Sequence, residues 1–252
     1  EPRVAKSAAR QEACAPGAIG VSRVVEIDTS EGPQLGFQQY KFHEFLQPGE
    51  VVLTFDDGPL RPYTTPVLNA LAAHCTKATF FNVGKMALAD PEMVREIERR
   101  GHTLGSHTWS HRNLRAMAPA LAKGEVELGL SAVSKAAGHP IAPFFRFPYL
   151  SDSRAMVAHM KARHIGMFSI EVDGVDYRTR EPAKVHANIL NGLKEHGKGI
   201  LLFHDIQPST AGALRGILDA LAAKGYKVVH IVPKAKATTL PEYDAIAEQQ
   251  LN

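Results

Sequence analysis

The sequence predicts an α/β fold in which a parallel sheet closes into a barrel. Three observations carry this. Seven apolar runs rich in β-branched and aromatic residues alternate with helix-patterned stretches, the pattern of successive strand–helix units in a parallel sheet. Reactive side chains sit at or just past the C-terminal ends of five of these runs: Asp56 and Asp57, His107, Arg146 with Tyr149, Asp173 with Asp176, and His204 with Asp205. A ring gathers all its strand ends around one mouth, whereas an open sheet brings only its switch-point strands to a common crevice. The third observation is length: 252 residues with 44% hydrophobic content suit one large domain, with no solenoid repeat or low-complexity linker to divide it.

Taken in order, residues 1–20 are rich in Ala, Arg and Gly and read as loosely ordered. Val21–Ile27 alternates as a strand, and Thr29-Ser30-Glu31-Gly32-Pro33 is a turn cluster. Phe37, Tyr40, Phe42 and Phe45 are expected to pack residues 1–47, as an N-terminal extension, onto a catalytic domain of residues 48–235. The seven runs are Val51–Asp57, Ala78–Gly84, His102–His107, Phe144–Tyr149, Ile165–Val172, Gly199–Asp205 and Lys227–Val232. Helices are expected over Pro66–His74, Pro91–Arg100, Pro119–Ala137, Ser153–Arg163, Glu181–His196 and Thr210–Lys224. Asp90 before Pro91 and Asp152 before Ser153 read as N-caps, and Gly138, Gly197 and Gly225 as helix ends. Residues 236–252 read as a C-terminal tail.

A formal charge of +3 with no basic block or interleaved aromatics argues against nucleic acid as a partner. No apolar stretch is long enough to span a membrane. The chain opens at Glu1 rather than Met, which fits a signal peptide already removed as well as an arbitrary boundary. Cys14 and Cys75 are the only cysteines. One disulfide in an oxidising compartment accounts for them, since Cys14 lies in a polar segment with little else to hold it; two buried thiols are the alternative. The expected location is secreted or periplasmic, and the oligomeric state is left open.

Thr54-Phe55-Asp56-Asp57-Gly58-Pro59 follows a buried strand and ends in a turn. Neighbouring side chains on a strand face opposite ways, but where the strand becomes a loop both carboxylates can turn to one site. One can then bind a metal while the other takes a proton. Such a pair is also ordinary turn chemistry, so the assignment depends on the rest of the chain. His107 and His111 lie at i and i+4, which on a helical turn share a face and can hold one cation. Two His, one Asp and an open position make a catalytic rather than a structural metal set. Zn²⁺ suits these ligands, and Co²⁺, Ni²⁺ or Mn²⁺ tolerate them. His204 ends an apolar strand and can serve as the acid opposite Asp56 or Asp57 as the base. Arg146 beside a carboxylate would lower its pKa; Asp176 or Asp173 beside His204 would raise the imidazole's.

Five segments, in order, resemble the motifs of the polysaccharide deacetylases, carbohydrate esterase family four with its NodB homology domain. They are Thr54–Pro59, His107–His111, Arg146-Phe147-Pro148-Tyr149, Asp173-Gly174-Val175-Asp176-Tyr177 and Leu202-Phe203-His204. The resemblance covers roughly residues 48–232 and implies a distorted (β/α)₇ barrel. It also implies metal-dependent hydrolysis of N-acetyl or O-acetyl groups on sugars, chemistry on linear amides other than peptide bonds. By motif position Asp56 is the base, and Asp57, His107 and His111 hold the divalent metal, expected to be zinc. His204 is the general acid, Arg146 holds Asp56 and Asp176 orients His204. The Tyr149 N–H binds the oxyanion, Leu202 lines the acetyl-methyl pocket, and Asp173, Trp109 and Tyr177 are expected near substrate. The implied partner is an acetylated polysaccharide or oligosaccharide. Two positions depart from the family pattern: Tyr177 where Trp is common, and Leu150 where Gly or Asn often follows the third motif. A non-catalytic carbohydrate-binding barrel and a hydrolase of non-sugar amides are the competing expectations.

Overall fold

A computed structural model describes residues 14, 16–40 and 45–251. Residues 1–13 and 15 of the segment expected to be loosely ordered, and Phe42 in the aromatic extension, lie outside the described residues. The elements are β1 (Arg23–Ile27), β2 (Gln34–Leu35), α1 (Phe37–Tyr40), β3 (Glu50–Asp56), α2 (Arg61–Ala73), β4 (Thr79–Asn82), α3 (Gly84–Ala89), α4 (Pro91–Arg99), β5 (Thr103–Ser106) and α5 (Pro119–Ala137). They continue as β6 (Phe144–Phe145), α6 (Arg154–Ala162), β7 (Gly166–Phe168), β8 (Val172–Asp173), α7 (Pro182–His196), β9 (Gly199–His204), α8 (Pro208–Ala223), β10 (Lys227–Pro233) and α9 (Pro241–Leu251).

All strand pairs among the described residues are parallel, as the strand–helix alternation requires. β3 pairs with β9 on one side and β4 on the other, and the path runs on through β5 and β6 to β7. The run expected as one strand, Ile165–Val172, is broken in two: β7 pairs with β6, whereas β8 pairs with β9. The break has an identifiable cause. The Arg146 guanidinium donates to the carbonyls of Phe168 (3.2 Å) and Ser169 (3.1 Å), so neither carbonyl is left to bond β9 as the β8 segment does. The other edge of β7 pairs with β2 of the extension, Gln34 to Met167 and Leu35 to Phe168. β10 bonds only the first residues of β3, Lys227 to Glu50 and Val228 to Val51, and otherwise pairs with β1 along Arg23–Ile27. The fold is thus a distorted (β/α)₇ barrel with an N-terminal extension.

Alternation along β3 divides the core. Val51, Leu53 and Phe55 face the helices in one buried cluster, while Val52 joins Phe81, Phe144, Phe168, Ile200 and Leu202 in another. Thr54 and Asp56 share the parity of Val52, so the period of two aims Asp56 into the barrel. The extension is tied on by β1, by the Arg23–Glu50 ion pair (2.6 Å) and by Tyr40 and Phe45 packing on the two clusters, while Phe37 stays 48% exposed. Asp90 caps α4 as expected, accepting from the Met93 N–H at 3.1 Å. α6 is capped by Ser153 rather than Asp152, because the extended Ser153 backbone brings its hydroxyl to the Met156 N–H. α3 and α9 were not expected. α3 has only six residues, too short for a periodicity to show. α9 falls within residues 236–252; it packs Ala247 against α5 and pairs Glu248 with Lys135. Among the described residues no helix is long and apolar enough to cross a membrane.

Cys14 and Cys75 form a disulfide, with Cα atoms 5.6 Å apart and a sequence separation of 61. A closed loop of this length removes denatured-state entropy worth about 4 kcal/mol. Cys75→Ser is expected to lower stability by up to about that amount, read as a reduced urea midpoint. An unchanged midpoint, or two thiols titrating in unreduced, denatured protein, would overturn the bridge.

Candidate active site

The mouth of the barrel at the C-terminal strand ends is a cleft of about 600 Å³. Asp56, Asp57, His107, His111, Tyr149, Asp173, Tyr177, Leu202 and His204 all line it. Leu150, the second departure from the family pattern, lines it as well. Trp109 does not: its ring packs over Gly84, with the Lys85 ammonium 5.7 Å from the ring centre. It supports the histidine loop from behind.

Asp56 and Asp57 reach one site because the backbone reverses between them. Asp57 has φ +75°, so its side chain swings to the side that the strand had already given Asp56. Gly58 then follows, joined to Pro59 by a cis peptide. A Cβ at Gly58 would lie 2.2 Å from the Asp205 carboxylate, so only glycine fits. Asp205 is fully buried, accepts from the Thr64 hydroxyl at 2.5 Å, and is pushed up to about 7 by burial. It is the principal structural residue the sequence reading left without a role. Its position directly after His204 was visible, but its contact with Gly58 was not.

His107 and His111 share a site, but not on a helical turn as expected. Residues 107–113 form a loop, with Thr108 at φ +70° and His111 at φ +58°. α5 imposes this path. Glu125 accepts from the Ser110 N–H (2.8 Å) and hydroxyl (2.7 Å), and its carbonyl takes the Trp109 N–H. Gly129 lets α5 approach so closely that a Cβ would lie 2.4 Å from the Thr108 backbone. His107 donates from Nδ1 to the Arg146 carbonyl at 2.7 Å, which fixes the tautomer and leaves Nε2 as an acceptor. Burial holds His107 down, to about 3, so it stays neutral and able to ligate.

Asp57 Oδ1 lies 3.5 Å from His107 Nε2 and 3.2 Å from His111 Nε2. One ligand atom from each of the three residues fits within 4.8 Å of the others, and Asp57 Oδ1 is buried without a hydrogen-bond partner. Buried polar atoms are nearly always satisfied, so an orphaned carboxylate oxygen facing two imidazole nitrogens fits a cation.

Asp56 is held differently. Its Oδ1 accepts from Arg146 at 2.7 Å, and the same guanidinium donates to Thr54 Oγ1 at 2.7 Å. Arg146 is fully buried, stacked 4.5 Å over the Phe81 ring. The sequence led us to expect a lowered Asp56 pKa. The balance runs the other way: burial raises it, and the charges of Arg146 and His204 offset that only in part. Desolvation of a fully enclosed carboxylate outweighs one ion pair here.

His204 closes the opposite wall. Its Nδ1 donates to Asp176 Oδ1 at 2.6 Å and its backbone N–H to Oδ2 at 2.7 Å. Thr210 also donates to Oδ2, and Ser209 to the Asp176 carbonyl at 3.1 Å. Burial alone would lower the His204 pKa, but the Asp176 hydrogen bond and charge, with Asp57 and Asp56 behind them, raise it to about 9. Asp173 is engaged elsewhere: it accepts from the Val175 N–H (2.7 Å) and the Tyr177 hydroxyl (3.3 Å) and makes no hydrogen bond to His204. Tyr149 (φ +59°) and Leu150 (φ +49°) turn the third motif into the cleft. The left-handed backbone explains why Gly or Asn suits position 150. Gln38 and Gln39 of α1 also line the cleft, so the extension contributes to the site.

The family model described as polysaccharide deacetylase matches residues 46–167. Over 183 residues the chain is 33% identical to the peptidoglycan-N-acetylglucosamine deacetylase PgdA of Listeria monocytogenes, covering 72% of this chain and 38% of the relative. It is 29% identical to a chitin deacetylase of Colletotrichum lindemuthianum, covering 73% of this chain and 79% of that one. Among solved structures, the Bdellovibrio bacteriovorus peptidoglycan deacetylase Bd3279 superposes with a TM-score of 0.78 at 32% identity, covering 86% of this chain and 61% of that one. The chain thus spans well under half the length of the Listeria relative.

Proposed function

Because the chain belongs to the polysaccharide deacetylase family, we propose that it removes acetyl groups from sugars of a polysaccharide and releases acetate. The substrate is peptidoglycan or a chitin-type oligosaccharide, N-acetylated or O-acetylated. The observation that carries this is the pairing of a carboxylate and a charged imidazole across one cleft, each held by a buried partner of opposite charge. Asp56, held by Arg146, accepts a proton; His204, held by Asp176, is charged at neutral pH and gives one.

Asp57, His107 and His111 would hold one divalent cation, zinc in first place with cobalt, nickel or manganese as substitutes; bound there, it would supply Lewis acidity at the acetyl carbonyl and make a water more acidic. Asp56 takes the proton of the attacking water. The Tyr149 N–H, which donates to no backbone carbonyl among the described residues, is available to the developing oxyanion. His204 protonates the departing amine, or the departing oxygen of an ester. Leu202 presents an apolar wall to the acetyl methyl, and Tyr177, 48% exposed, a ring face to a sugar. A disulfide together with a glycan substrate fits a secreted or periplasmic location.

Mass spectrometry of acetylated glucosamine oligomers and peptidoglycan fragments, before and after incubation with enzyme and metal, tests this. Acetyl loss that a chelator stops and added metal restores is the expected result; no loss from any glycan with any of the four metals ends the reading. His107→Ala should fold and lose both the cation and turnover, because one of three ligands is gone. Full metal occupancy in that variant by elemental analysis would remove His107 from the ligand set.

A further inference from the structure

A second groove, of about 400 Å³, borders the catalytic cleft and shares Tyr177 and Arg178 with it. Tyr63, Arg180 and Gln207 also line it, and no residue lining it is acidic. It has the size of a small-molecule subsite rather than a surface crease. Arg178 and Arg180 both line it, and neither makes an ion pair with a described residue. Glu181, the next acid along the chain, is engaged by Lys184 at 2.7 Å. Arg178 lies over the Tyr177 ring at 5.5 Å, which limits its freedom and keeps its fork at the boundary of the two spaces.

We propose that this groove is a subsite for a carboxylate borne by the glycan residue next to the acetylated sugar, with Arg178 and Arg180 as its binders. A polymer whose acetyl group reaches Asp56 and His204 continues past Tyr177 into the groove. An arginine fork matches a carboxylate bidentately, whereas a neutral sugar offers only hydroxyls. The assignment rests on the deacetylase reading above and extends it to substrate class: a glycan with acidic substituents is preferred over a neutral one. The carboxylate comes from a lactyl ether on the sugar or from a peptide attached to it; the groove reads the same chemistry in both.

The test compares a neutral N-acetylglucosamine tetramer with a tetrasaccharide of alternating N-acetylglucosamine and N-acetylmuramic acid carrying free lactyl carboxylates. A third probe has those carboxylates amidated, and a fourth carries stem peptides with free carboxylates. Acetate release and calorimetric binding are measured for wild type, Arg178→Gln, Arg180→Gln and the double variant. In wild type the acidic probes should be favoured, the more so at low salt. In the double variant the acidic-to-neutral ratio of kcat/KM should fall about tenfold or more, chiefly through KM. Selectivity for the lactyl or for the peptide probe alone assigns the source. Equal use of neutral, amidated and acidic probes by wild type, or an unchanged ratio in the double variant, overturns the subsite. Charge-selective binding without acetate release from any probe would keep the subsite and defeat the deacetylase reading instead.

Discussion

Asp56→Asn is expected to keep its divalent metal and lose turnover by about 10²–10⁴, the usual scale for removing a general base. Asp57→Asn is expected to lose the metal, because an amide oxygen is a far poorer ligand than a carboxylate. The two residues are adjacent and chemically identical, so the contrast isolates position. Asp56 Oδ1 is already engaged by Arg146, whereas Asp57 Oδ1 faces His107 and His111 without a hydrogen-bond partner. Metal content and acetate release, measured side by side, check the division of labour; Asp57→Asn with full metal and Asp56→Asn without it would reverse the roles. The pH dependence follows from burial. A base works above its pKa, and burial lifts that of Asp56, so the acid limb of the rate profile should lie above the ordinary carboxylate range. Arg146→Ala removes the opposing charge and should move that limb higher still; a downward move would mean that the ion pair does not hold Asp56 ionised.

Asp176→Asn should cut turnover on a similar scale, about 10²–10⁴, without removing a group that touches substrate. In the proposed mechanism Asp176 acts through His204: it accepts from Nδ1 and from the backbone N–H, and its hydrogen bond and charge are the main influences that raise the imidazole to about 9. A general acid works below its pKa, so wild-type activity should persist to about pH 9 and fall above it. Without the Asp176 charge, burial is the dominant influence left and it favours neutral imidazole; the alkaline limb should move down in pH. The shift of that limb separates a positioning role from a merely structural one. An unchanged alkaline limb, with turnover lowered at every pH, would show that Asp176 only supports the fold through Thr210 and Ser209.

Much of the site was legible in the chain because it is written locally. Strand period, turn residues and the placement of Asp, His and Arg at the ends of apolar runs are short-range features, and they led to a parallel barrel with a single mouth. Residue type alone predicted a base, an acid and a two-His, one-Asp metal set, and the order of five motifs pointed to the family. What the tertiary structure decided depends on neighbours distant in sequence. Whether His107 and His111 stand on a helix was settled by Glu125 and Gly129 of α5, which pull the segment into a loop. Where Ile165–Val172 leaves the sheet depends on Arg146, which takes two of its carbonyls, and on β2, which pairs with Met167 and Phe168. The direction of the Asp56 shift was settled by enclosure, since an ion pair is a matter of two residues but desolvation depends on everything packed around them. Arg178 and Arg180 are adjacent to the fourth motif in sequence, yet only folding sets them in a groove with Tyr63 and Gln207, because those walls come from the starts of α2 and α8, far away along the chain.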